Sequence, residues 1–116
     1  MSQSYAYNSG DIVNAVSKYG SVTAIPSTEI VIATYTAPVG STPLIKGVFG
    51  EGATDGLFTL YLNSTAIWQA RNAWTERFIS CLLEKTLAAG DIVELKVTNQ
   101  KNTNHTFTGG FYVYEL

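Results

Sequence analysis

The stretch Ile92–Asn99, "IVELKVTN", decides the fold class. Val93, Leu95 and Val97 alternate with Glu94, Lys96 and Thr98, so one face of an extended strand is apolar and the other polar. "AAGD" (88–91) precedes it, with Gly90 able to take positive φ and Asp91 able to bond the backbone of a turn. A strand entered through a tight turn is the unit from which an antiparallel sheet is built.

Working outward, the same period recurs. "EIVIATYTA" (29–37) is β-branched and alternating and stops at Pro38–Val39–Gly40; "PLIKGVFG" (43–50) follows, then the turn "EGATDG" (51–56). "LFTLYL" (57–62) sets Phe58, Leu60 and Leu62 against Thr59 and Tyr61, and Asn63–Ser64 reverses the chain into "TAIWQAR" (65–71). "RFISCLLEKTL" (77–87) leads to the opening turn. After the polar loop "QKNTNH" (100–105), "TFTGGFYVYEL" (106–116) forms a last strand with an expected bulge at Gly109–Gly110. Seven or eight short strands at this spacing indicate an all-β fold, a single antiparallel sandwich or barrel. Residues 1–20, Ser/Asn/Tyr-rich and weakly patterned, are expected to be an N-terminal arm ordered by contact, with the β domain at 21–116.

The stretch "IWQARNAWTERF" (67–78) holds both tryptophans and both arginines. Helical spacing would group Ile67, Ala70, Ala73, Trp74 and Arg77, but no capping pattern opens a helix and strands flank it. A hairpin is the preferred reading. A turn at Asn72–Ala73 would bring Trp68 and Trp74 together on paired strands, flanked by Arg71 and Arg77.

Composition narrows the function. The 116 residues suffice for one domain with a real core, and only 14% are charged, for a formal net charge of −2. The few Lys and Arg are scattered, so no nucleic-acid footprint exists, and no apolar run is long enough to span a membrane. A surface of Ser, Thr, Asn, Gln and Tyr leans toward assembly with neighbours. The start of the chain lacks the pattern of a signal peptide. Cys81, the one cysteine, lies in "FISCLL" and reads as a buried thiol; it cannot form an internal disulfide. Neither a cofactor nor a metal site is expected. "EGATDG" resembles a calcium loop less than an ordinary turn, and Cys81 with His105 makes no zinc set. The sequons at Asn63 and Asn104 read as turn residues.

No catalytic set emerges. His105 sits in a polar loop without an acid beside it, and Glu51, Asp55, Glu76 and Glu84 occupy turns or strand ends. The chain is expected not to be an enzyme. Aromatic recognition remains. Trp68, Arg71, Asn72 and Trp74 could stack on and bond a sugar ring, as in a carbohydrate-binding module or the receptor-binding tip of a fibre.

"EIVIATYTAPVG", "KGVFGEGATDGLFTLYLNST" and "LEKTLAAGDIVELKVTNQKNTNHTFTGGFYVYEL" together resemble a pattern in small bacteriophage structural proteins of the capsid decoration (cement) or fibre-module type. The resemblance covers 29–116 and implies a jelly-roll-like β-sandwich. It also implies a homo-oligomer, with a trimer as the expected number, bound to the major capsid protein or other virion proteins and located in a virion assembled in the host cytoplasm. Tyr5, Tyr7 and Tyr19 of the arm, with one tryptophan, would then be contact residues. The stabilisation would come from apolar area buried between copies and against the shell.

Overall fold

The computed structural model describes residues 14–52 and 55–115, and these form eight strands. They are β1 (Asn14–Ala24), β2 (Glu29–Thr36), β3 (Leu44–Gly52), β4 (Gly56–Leu62), β5 (Thr65–Arg71), β6 (Ile79–Thr86), β7 (Ile92–Asn99) and β8 (His105–Glu115). Two four-stranded sheets result, with orders β1-β8-β3-β6 (sheet A) and β2-β7-β4-β5 (sheet B). The pairs β1–β8, β2–β7, β3–β6 and β4–β5 are nested and antiparallel. That nesting is one long hairpin rolled on itself, the connectivity of an eight-stranded jelly roll. The expected sandwich is the observed one.

Alternation fills the space between the sheets. Phe58 and Leu60 of β4, Val93, Leu95 and Val97 of β7, and Phe107, Phe111 and Val113 of β8 are fully buried. Phe58 and Phe107 meet edge to face, centroids 5.9 Å apart. Each such large side chain contributes about 1.5–3 kcal/mol by leaving water. The Tyr35 hydroxyl of β2 donates to the Glu115 carboxylate of β8 and so ties the two sheets together. Burial, then this carboxylate, push the Tyr35 hydroxyl above its usual range.

Two turns match their sequence chemistry. Asn63 and Ser64 both have positive φ (49° and 69°), as a two-residue hairpin turn requires, and Gly90 has φ 86°. Other expectations need correction. Residues 14–20, placed in the arm by sequence, are the first part of β1 and pair with β8, so position 20/21 is no element boundary. Residues 1–13 lie outside the described residues. β8 runs without a bulge through Gly109–Gly110; the register shift sits in β3 between Ile45 and Gly47. The glycine at 110 answers instead to a close approach, because a Cβ there would come within 2.3 Å of the Lys18 carbonyl oxygen.

The expected hairpin across Asn72–Ala73 is absent. β5 is the last strand of sheet B and β6 the last of sheet A, so residues 72–78 cross between sheets and do not pair them. Consecutive strands pair more often than not, and local sequence carries no signal for the exception. Trp68 and Trp74 are therefore not cross-strand neighbours.

Candidate interaction surface

The outer faces of the two sheets differ in chemistry. On sheet B, Tyr61 Oη donates to Glu29 Oε2 (2.7 Å), Lys96 Nζ lies 4.9 Å from the Tyr61 ring, and Gln69 Nε2 donates to Thr59 Oγ1 (3.0 Å). The Glu29 hydrogen bond raises the Tyr61 hydroxyl above its ordinary pKa. These polar groups satisfy one another, beside the partly exposed aliphatic side chains of Val31, Ile67 and Ile92.

Sheet A presents aromatics. In β8, Phe111 and Val113 point inward, so Tyr112 between them points out and is 45% exposed. β3 does the same with Phe49, next to the buried Val48. Phe49 stacks on Tyr112 (5.8 Å between centroids) and on Phe78 (6.0 Å), a ladder across the face. A groove of about 320 Å3 runs beside it, lined by Gly47, Phe49, Phe78, Ser80, Leu82 and Tyr112. Leu82 is 89% exposed, and none of the six is charged. The Lys46–Glu84 ion pair (2.7 Å) belongs to the same strands, β3 and β6.

Phe78 and Ser80 also line a second cleft of about 420 Å3 where β5 and β6 end the two sheets; Trp68, Ala70, Arg71 and Glu76 are on its walls. Above it, Ala73 and Glu76 exchange backbone hydrogen bonds (2.9 and 3.0 Å), leaving Trp74–Thr75 at the apex of a miniature turn. Trp74 is 73% exposed, and the Arg77 guanidinium stacks 4.6 Å from its ring centre.

The sequence-derived contact residues are thus dispersed. Tyr5 and Tyr7 lie outside the described residues. Tyr19 is exposed on the outer face of sheet A, but on β1, at the edge opposite β6. Trp68 is half-buried against the core, Arg71 is exposed at the cleft, and Trp74 and Arg77 are together on the apex. Asn72 is fully buried and cannot touch a partner. Its side chain accepts from Gly56 N (2.8 Å) and donates to Arg77 O (3.1 Å), so it holds the crossing in place. Cys81, expected to be buried, is half-exposed behind the groove. Sequence reading missed Phe49, Phe78 and Leu82, and noted Tyr112 among the candidate aromatics without placing it at a contact. The available signal was an apolar side chain at an outward-phase position, clearest for Tyr112.

The carboxylates and histidine considered for catalysis have other settings. Asp55 pairs with Lys101 (3.5 Å), His105 Nε2 lies 3.0 Å from Thr103 Oγ1, Glu51 is exposed on β3, and Glu76 sits at the cleft. No family model matches the sequence, and no curated protein matches it. Among solved structures, a chain of the cyanophage Pam1 capsid asymmetric unit superposes with TM-score 0.59 at 18% identity, over 97% of this chain and 93% of that one. The two share a fold. The nucleoplasmin-like N-terminal domain of Drosophila FKBP39 aligns at TM-score 0.37 and 14% identity, over 86% and 91%.

Proposed function

We propose that the chain is a structural protein of a phage virion, of the decoration type, which stabilises a capsid shell by packing on major capsid protein and on copies of itself. The observation that carries this reading is the stacked Phe78–Phe49–Tyr112 ladder with the uncharged groove beside it on the outer face of sheet A, where sheet B instead sets Tyr61 against Glu29 and Lys96. Large exposed apolar patches mark protein interfaces more often than they mark anything else. The fold likeness to a chain of a phage capsid unit, and the low charge of the surface, point the same way. On this reading the protein is not an enzyme, its copies form a ring (a trimer by the family resemblance), and it resides in the virion.

Capsids assembled without the protein provide the test. Purified chain should co-sediment with them and raise their thermal disruption temperature. A chain that stays in the supernatant at micromolar concentration would sink the proposal. One observation favours a second reading: the β5–β6 cleft combines Trp68 with Arg71 and Glu76, a composition suited to a sugar ring. A glycan array read by tryptophan fluorescence decides it, since a ligand in the cleft must perturb Trp68.

A further inference from the structure

The exposed Trp74 and the aromatic groove are both unusual in a small domain. A tryptophan held 73% in water contributes little to its own fold. Yet its backbone is fixed by the reciprocal Ala73–Glu76 hydrogen bonds and by buried Asn72 beneath, and its ring is ordered by Arg77. It is a preorganised knob, of the residue pair (Trp with Arg) that dominates interface energetics. The groove is its counterpart: uncharged, walled by the Phe49–Tyr112 stack and bottomed by Gly47, with about 320 Å3 of space.

We propose that Trp74 of one copy seats in the groove on sheet A of a second copy. The indole would extend the Phe78–Phe49–Tyr112 ladder. Charge agrees with this register. Arg77 moves with Trp74, and Glu84 on β6, the strand that supplies Ser80 and Leu82 to the groove, keeps 59% of its side chain exposed while paired with Lys46. Its carboxylate can accept from an incoming guanidinium. The contact joins two different sets of residues, so it either repeats from copy to copy or is made reciprocally by a pair about a two-fold axis. The proposal deepens the packing function above and rests on it for its setting, but it is tested without a capsid.

The experiment is sedimentation of the full chain over a concentration series, as wild type, Trp74→Ala, Leu82→Asp and a 1:1 mixture of the two variants. Both positions are exposed, and circular dichroism checks that each variant is folded. Wild type should associate, and each variant alone should associate about thirtyfold or more weakly. The mixture should form a heterodimer, because one intact knob meets one intact groove. Three results overturn the proposal: a wild type that stays monomeric, a Trp74→Ala variant that associates like wild type, or folded variants that do not complement. Capsid binding by a monomeric wild type would remove this interface and leave the virion reading standing. Complementation without capsid binding would do the reverse.

Discussion

Asn72 Oδ1 accepts a 2.8 Å hydrogen bond from the backbone N–H of Gly56, and the backbones of the same two residues bond again at 3.1 Å. The amide nitrogen of Asn72 meanwhile donates to Arg77 O at 3.1 Å. One buried side chain thus joins the start of β4, the end of β5 and the turn that carries Trp74. Asn72→Ala should strand these groups without water and cost roughly 3 kcal/mol, read as a shift of the urea midpoint. A variant within experimental error of wild type would mean that the crossing is held by other contacts.

Gly110 fails differently. A methyl group there would meet Lys18 O at 2.3 Å and the Tyr19 Cβ at 2.6 Å, and backbone cannot yield as a flexible side chain can. Gly110→Ala should cost about 2 kcal/mol. The damage should be local, with faster amide exchange in β1 than in β7. Uniform loss of protection would contradict the assignment of the strain to the β1–β8 pair.

Such effects mark the limit of what is legible in sequence. β5 was readable to the residue, and the alternation of β4 and β7 gave their buried faces, because period-two patterning is a local property. The destination of β5's successor was not readable, since the choice of sheet is settled by packing of distant strands. Nor was the role of Asn72: a turn asparagine and a buried one look alike until Gly56 is brought beside it. The aromatic face has the same character. Tyr112 could be placed outward from "FYVY", but its stacking on Phe49 exists only once β3 pairs with β8.

Asp91 supplies a pH dependence. Its carboxylate accepts from Asn63 Nδ2 and from Ala88 N, each at 2.9 Å, and these bonds, the first foremost, hold its pKa below the ordinary value. A depressed folded pKa means that the contribution is complete above the unfolded value of about 3.9 and is lost as pH falls through the folded one. Asp91→Asn should therefore lower stability at pH 6 and converge on wild type in strong acid. Parallel stability curves for the two proteins from pH 6 to pH 2 would exclude this role.

The contrast between the sheets predicts an asymmetry of function. Ser80 is exposed and lines the groove on sheet A, whereas Thr36 is exposed on β2 of sheet B. Glutamate at either exposed site should change stability by no more than about 0.5 kcal/mol. Ser80→Glu buries a carboxylate among Phe49, Phe78 and Leu82 whenever that face is covered, and a charge desolvated without a partner is costly. Binding to capsids, and association between copies, should fall about tenfold or more for Ser80→Glu and stay unchanged for Thr36→Glu. Equal losses for the two variants would show that the protein packs through both faces. Loss with Thr36→Glu alone would move the interface to sheet B, where the Glu29–Tyr61 and Lys96 contacts would then have to open to admit a partner.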